Sequence, residues 1–310
     1  MHKWRPNRQL EGYLFLLPNV IGFLMFTTFP VVFALVIAFS DWRLSASIFE
    51  SPPPFIGFGN FVDLFQGDLI FKQVALNMVF YVAMIVPLQT GISLLIALAL
   101  NQKLRGMKAF RLIYYMPVIT TVVAGALVFQ LMFDHDNGLI NAPVWWLAET
   151  FKIPVQPPEW LTSTAWAKPS VVILTLWKNI GFTVVIFLAG LQAIPLELHE
   201  AAAIDGANNR QRFWRITLPL LSPTTFFVLV ILTIGSFQLF DEAFVMTRGG
   251  PANASLTAVG YIYNTAFGTT SRMGKAAAIS WVLFAVIFIF TLIQQRLQQR
   301  WVYYESGEST

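Results

Sequence analysis

Between Gly12 and Ser40 the chain carries no charged side chain. An α-helix needs about 20 apolar residues to cross a hydrocarbon core, so this run is long enough to span. It is also far longer than the apolar core of a signal peptide, which runs to about 7–15 residues, and it lacks a small-residue cleavage site. Five further runs follow: Gln73–Gln102, Leu112–Phe133, Pro169–Leu196, Ile216–Phe240 and Ala276–Gln295. Lys178 is the sole charge within any of them. Lipid offers nothing to hydrogen-bond a backbone, so runs of this kind fold as helices that satisfy their own amides. The predicted fold is therefore all-α: a polytopic membrane protein of six transmembrane helices. The spans cover about 13–40, 75–101, 112–133, 170–193, 223–241 and 276–295, within one domain over residues 1–310. Pro18 and Pro30 are expected to kink the first span.

The composition supports that fold. The chain is 56% hydrophobic and 12% charged, whereas soluble domains carry about a quarter charged residues. A net charge of +4 could point to nucleic acid, but the basic residues sort by membrane side and form no single patch, so no nucleic-acid partner is expected. With a cytosolic N-terminus, the inner segments hold Lys3, Arg5, Arg8, Lys103, Arg105, Lys108, Arg111, Arg210, Arg212, Arg215, Arg296 and Arg300. That is twelve basic residues against seven in the three longer outer loops, as the positive-inside rule requires. Both termini are then cytosolic. The outer loops hold the acidic residues Asp41, Glu50, Asp63, Asp68, Asp134, Asp136, Glu149, Glu159, Asp241 and Glu242. Ser51 and the prolines that follow it start a rigid turn there. Trp145, Trp146, Trp160 and Trp166 suit an interfacial aromatic belt better than a sugar-stacking platform.

Chemistry of the catalytic kind is not encoded. There is no cysteine, and His2, His135 and His199 stand apart, so no metal site is expected. Gly268–Gly274–Lys275 has one residue too many between its glycines, and no Ser or Thr follows the lysine, so it fails as a phosphate cradle. It would also lie outside the cell.

The segment 196–222 lies between the fourth and fifth spans, on the side that the charge distribution makes cytosolic. It contains Glu200, Ala201, Ala202, Ala203, Asp205 and Gly206, and then Ile216-Thr217-Leu218-Pro219. Alanines favour helix and present little bulk, so another protein can approach this backbone closely. Gly206 permits the positive φ of a sharp turn. Ser222-Pro223 reads as an N-cap and a first-turn proline opening the next helix. A bare Glu-Ala-Ala triplet could equally be a helical linker. Here it stands with a glycine six residues after the glutamate, an Ile-x-Leu-Pro and flanking spans, and together these resemble the signature loop of ABC importer permeases. Met246-Thr-Arg-Gly-Gly-Pro251 with Tyr261-Ile-Tyr-Asn-Thr-Ala-Phe267 is similar to the binding-protein-dependent carbohydrate branch of that family. Arg248 departs from it, since small or acidic residues are common at that place.

The resemblance implies a type I importer fold and a permease subunit rather than an enzyme. It implies that Glu200, Ala201, Ala202, Asp205, Gly206, Ile216, Leu218 and Pro219 couple to a separate ATPase dimer, which binds ATP and magnesium. The chain itself would bind no cofactor. The implied partners are a second homologous permease, an external solute-binding protein, a carbohydrate or polyol substrate and the lipid of a prokaryotic cytoplasmic membrane.

Polar groups at membrane depth are the candidate substrate path: Asn77, Trp177, Lys178, Asn179, Thr183 and Gln238, with Gln89. Lys178 lies about nine residues into its span, about 13 Å from the outer end. A charge there either faces a cavity or partner, or snorkels outward. Neutral polar groups in membrane bundles also serve as interhelical hydrogen-bond partners. A non-transporting six-span scaffold is the rival reading. An ion-driven transporter is disfavoured because the spans offer no internal carboxylates or inverted repeats.

Overall fold

A computed structural model describes residues 8–43, 53–102, 106–152, 154 and 156–303. His2, Lys3, Arg5, Lys103 and Arg105 lie outside the described residues, as do Glu50, Ser51 and Pro52. Among the described residues the regular elements are helices, and one isolated bridge joins Ser40 to Phe55. Helix α1 (Arg8–Phe23) passes through a π turn, Leu24–Thr28, into α2 (Phe29–Ala38). The wider turn sits immediately before Pro30, which has no N–H to offer the preceding turn.

Among the described residues, four helices are long and apolar enough to span a membrane: Gly12–Ala38, Leu69–Leu100, Ala167–Ala193 and Met273–Trp301. Two bent pairs bring the number to six when each pair is taken as one span. Ala109–Ile119 meets Val122–Met132 at 97°, and Asn209–Leu220 meets Ser222–Phe237 at 61°. The stretch predicted as one helix over 112–133 is thus two. Thr120 and Thr121 are both extended, with ψ of 136° and 141°, and the Thr121 hydroxyl caps the second helix by accepting from the Ala124 N–H. Ser222 also differs from expectation. It is the first residue of its helix, and its hydroxyl donates backwards to the Pro219 carbonyl at 2.6 Å instead of capping forwards.

The chain divides into two compact units. The first is drawn from Met1–Asp68 and Ile262–Val282. It includes α3 (Gly59–Val62), where the Asn60 amide donates to the Ala38 and Ser40 carbonyls at 2.9 Å each. Those bonds satisfy carbonyls that the end of α2 leaves open. The Gly274 N–H donates to the Trp42 carbonyl at 3.1 Å. A Cβ on Gly274 would fall 1.9 Å from the Ser40 carbonyl oxygen, so only glycine fits. The neighbouring Lys275, from the rejected phosphate-cradle stretch, pairs with Asp63 at 2.9 Å and Asp68 at 2.7 Å.

The second unit takes in Leu69–Tyr261 and Leu283–Thr310. Its centre is α8 (Ala167–Ala193), which packs on α4 (Leu69–Leu100), α5 (Met107–Ile119), α6 (Val122–Met132), α12 (Ser222–Phe237) and α13 (Asp241–Thr247). Val184, Phe187, Leu188 and Leu191 of α8 join Ala97, Leu100, Leu221 and Val228 in a buried apolar cluster. Glycine lets the helices approach. A Cβ on Gly181 would lie 2.2 Å from the Tyr114 carbonyl oxygen, and one on Gly190 2.5 Å from Thr224 Oγ1. Polar groups add interhelical bonds, with Gln89 Nε2 donating to Thr183 Oγ1 at 2.9 Å. The end of α15 (Met273–Trp301) returns to α12: Gln294 donates to Thr233 at 2.9 Å, the rings of Phe237 and Phe290 lie 5.2 Å apart, and the Tyr303 N–H donates to the Ser222 hydroxyl at 2.8 Å.

Gly181→Val should therefore lower the apparent melting temperature of the detergent-solubilised protein, by an overpacking penalty of about 1–3 kcal/mol or more. Gly91→Val, where an added Cβ meets nothing within 4 Å, is the control and should leave the melting temperature close to that of the unsubstituted protein.

Candidate functional site

The first candidate region is the exposed turn that begins at Pro195. Helix α9 (Leu196–Ile204) ends in two backbone bonds: Ala207 N–H to the Ala202 carbonyl at 2.9 Å, and Gly206 N–H to the Ala203 carbonyl at 3.1 Å. This pair defines a Schellman motif, whose C′ residue takes the left-handed conformation. Gly206 does so with φ of +82°. A Cβ there would meet no atom within 4 Å, so glycine is required by conformation and not by space. Glu200, Ala201, Ala203, Asp205 and Gly206 are exposed, Ala202 is half-buried, and Ile204 is 87% exposed. The helix end thus offers an apolar tip between two carboxylates on a backbone with little side-chain bulk.

The chain restarts at once. Asn208 and Gln211 form a reciprocal capping box that opens α10 (Asn209–Arg212). A π turn, Phe213–Thr217, leads to α11 (Leu218–Leu220), on which the 61° bend into α12 follows. Ile216, Leu218 and Pro219 are half-buried and Leu221 is fully buried. The predicted coupling residues therefore fall into an exposed group on α9 and a group anchored at the foot of α12.

The second region is a cavity of about 290 Å³ within the α8-centred unit. Ile85 and Gln89 of α4 line it with Thr175, Asn179 and Phe182 of α8, spaced so that they share one helix face. The end of α12 and the start of α13 add Ser236, Gln238, Phe240, Asp241 and Glu242. Of the predicted path, Gln89, Asn179 and Gln238 line this cavity. Thr183 lies one turn on, fully buried, and holds the Gln89 amide in place. Lys178 is half-buried beside Asn179. Both stand near the Glu242 carboxyl, on which burial is the strongest influence.

Two predicted residues lie elsewhere. Trp177 points to α6, with its ring 5.2 Å from that of Phe129 and against Gly125. Asn77 is completely buried. Its amide donates to the Asn253 and Leu256 carbonyls at 2.9 and 3.0 Å, and its oxygen accepts from Lys168 at 3.2 Å. Asn77 is a clasp on a loop and not a cavity residue.

That loop is the glycine–proline signature, and its packing explains a residue that the sequence reading missed. Tyr81 donates to the Ser255 carbonyl at 2.9 Å, Ser255 donates to the Gly250 carbonyl at 2.7 Å, and Gln130 donates to the Val245 and Met246 carbonyls at 2.9 and 3.0 Å. These bonds fold α13 back against α6 and α8. Glu242, read as an outer-loop acid, is consequently only 8% exposed and faces the cavity. The available signal was the Asp241-Glu242 pair immediately after an apolar run, followed by apolar Ala243, Val245 and Met246. Among the described residues no three His, Cys, Asp or Glu side chains converge as a metal site.

The model of the family described as "Binding-protein-dependent transport system inner membrane component" matches residues 13–303. The probable ABC transporter permease protein YesP of Bacillus subtilis is 38% identical, over 99% of this chain and 97% of its own length. The arabinooligosaccharides transport system permease protein AraP of Bacillus subtilis is 32% identical, over 95% and 91%. A crystal structure of a bacterial ABC transporter involved in the import of the acidic polysaccharide alginate contains a chain with the same fold. That chain has a TM-score of 0.80 and 26% identity, with 94% of this chain and 96% of that chain covered. With nearly its whole length matched in this way, the chain belongs to the binding-protein-dependent transport system inner membrane components, as a permease subunit of an ABC importer and not an enzyme.

Proposed function

We propose that this chain is the membrane-spanning subunit of an ATP-driven importer that moves a carbohydrate or related polyol across a prokaryotic cytoplasmic membrane by alternating access. The observation that carries the reading is a continuous path. The exposed α9, stopped by Gly206, leads through Ile216, Leu218 and Pro219 into α12, and the far end of α12 lines the polar cavity. In this reading α9 seats in a cleft on a separate ATPase. Glu200 and Asp205 make polar contacts there, and Ala201 and Ala202 permit close approach. ATP and magnesium are held by that ATPase, both termini of this chain are cytosolic, a second permease completes the pathway, and an external binding protein delivers the substrate. A nucleotide-driven movement of α9 shifts the access equilibrium only because the docked contacts differ between the two states. The substrate path is the Gln89, Asn179 and Gln238 face, with Lys178 and Thr183 supporting it.

The test is ATP hydrolysis by the complex of this chain, its second permease and its ATPase, with and without the sugar-loaded binding protein. Hydrolysis should rise with the loaded binding protein. Gly206→Pro removes the N–H that Ala203 accepts and imposes a negative φ, so ATPase copurification and uptake should both fall more than tenfold. Gly206→Ala keeps the N–H and places a side chain at positive φ at about 1–2 kcal/mol, so its loss should be several-fold. If Gly206→Pro copurifies and transports like wild type, α9 is not the docking element. If no ATPase associates with the wild-type chain, the non-transporting scaffold is the correct reading.

Lys178→Met should leave assembly intact and change the half-saturation concentration or maximal rate of uptake at least threefold. Uptake kinetics identical to wild type would mean that this lysine extends away from the path.

A further inference from the structure

Helix α12 runs from the bend after α11 to the polar cavity, which Gly235 and Ser236 line at its far end. The last part of α15 accompanies it. The rings of Phe237 and Phe290 lie 5.2 Å apart, Thr233 accepts from Gln294 at 2.9 Å, the rings of Phe226 and Trp301 lie 6.3 Å apart, and Ser222 accepts from the Tyr303 N–H at 2.8 Å. As the numbering falls on α12 it rises on α15, so the two run antiparallel in one register from the last residue of α12 to its first. At about 1.5 Å per residue this seam is about 22 Å long. Ring contacts and uncharged hydrogen bonds of this kind are what join helices in an apolar medium.

The seam ends at a second cavity, of about 220 Å³, at the foot of α12. Pro195, which precedes α9, lines it together with Leu220 and Pro223, which flank the bend. Tyr303 lines it as well. The entry to the α9–α11 segment, the exit from it and the tail of α15 therefore meet at Tyr303. Its main chain is held by the Ser222 hydroxyl, which in turn donates to the Pro219 carbonyl at 2.6 Å.

We infer that the tail of α15 belongs to the coupling machinery and that Tyr303 is a positioning residue that fixes the bend to α12. The inference rests on the transport reading above and adds to it a residue outside the segment 196–222. A displacement of α9 reaches the cavity only as far as the bend passes it on instead of flexing. The Tyr303 bond joins the bend to a helix that is itself held to α12 at Phe226, Thr233 and Phe237. Without that bond the bend flexes, and hydrolysis proceeds with less movement delivered to the cavity.

The experiment reconstitutes the whole complex, both permeases and the ATPase, in proteoliposomes and measures uptake and ATP hydrolysis in the same vesicles with the loaded binding protein. Radiolabelled arabinotriose, lactose and maltotriose are tried as cargo, and the one that wild type takes up fastest is used throughout. Tyr303→Pro removes the N–H that Ser222 accepts, and a chain ending at Trp301 removes the residue altogether. Both should lower uptake per ATP hydrolysed at least threefold, with the ATPase copurifying as in wild type. Tyr303→Phe, which keeps the N–H and a ring, and a chain ending at Tyr303 should both retain the wild-type ratio. If Tyr303→Pro and the shorter chain fail to assemble, Ser222→Ala, which removes the acceptor, decides by the same threshold. A merely structural role would lower copurification, hydrolysis and uptake in step and leave the ratio unchanged, which would overturn the assignment. An equal loss in the chain ending at Tyr303 would also overturn it, because the effect would then belong to residues beyond. Wild type that neither takes up a sugar nor responds to the binding protein would count against the transport reading and the inference together. Active wild type with an unchanged ratio in the variants removes the inference alone.

Discussion

The bundle around α8 depends on how closely helix backbones can approach. Between helices in an apolar medium there is little hydrophobic drive, so association rests on van der Waals fit and interhelical hydrogen bonds. Gly181 and Gly190 supply the fit, because any side chain there would collide with the Tyr114 carbonyl or Thr224. The Gln89–Thr183 bond supplies the specificity of register between α4 and α8. Once those contacts set the rotation of α8, residues 175, 179 and 182 can face only one way, and the cavity forms where that face meets the end of α12.

A second set of bonds completes the cavity from outside it. Asn77, Tyr81 and Gln130 give their side-chain donors to main-chain carbonyls of the loop and of α13. Backbone that is neither helix nor sheet is tolerated among apolar helices only when other groups satisfy it. Asn77 and Tyr81 of α4 and Gln130 of α6 do this, and in the conformation they hold Glu242 lines the same cavity as Asn179.

Most of the helical content was legible from the sequence because it follows from length and charge: a run such as Gly12–Ser40 has no alternative in lipid. The α9 turn was equally legible, since the Ala triplet and Gly206 act through local backbone preference. The break at Thr120-Thr121 was not, because β-branched residues occur both within helices and as their caps, and only tertiary context selects. Asn77 was legible as a polar residue at depth but not as a clasp, since the carbonyls it holds lie 176 and 179 residues away in the chain. Glu242 was missed for the converse reason. A charge after an apolar run normally marks the exit from the bilayer, and its burial is imposed by residues far off in sequence.

The Ser222 hydroxyl serves two masters. It donates to the Pro219 carbonyl, one residue upstream of α11's end, and accepts from the Tyr303 N–H beyond the end of α15. One oxygen therefore rivets the bend between α11 and α12 to the tail of another helix, with Trp301 resting its ring near Phe226. The bend and the tail of α15 are thus fastened to each other by a group that contains no charge and reaches across 81 residues of chain.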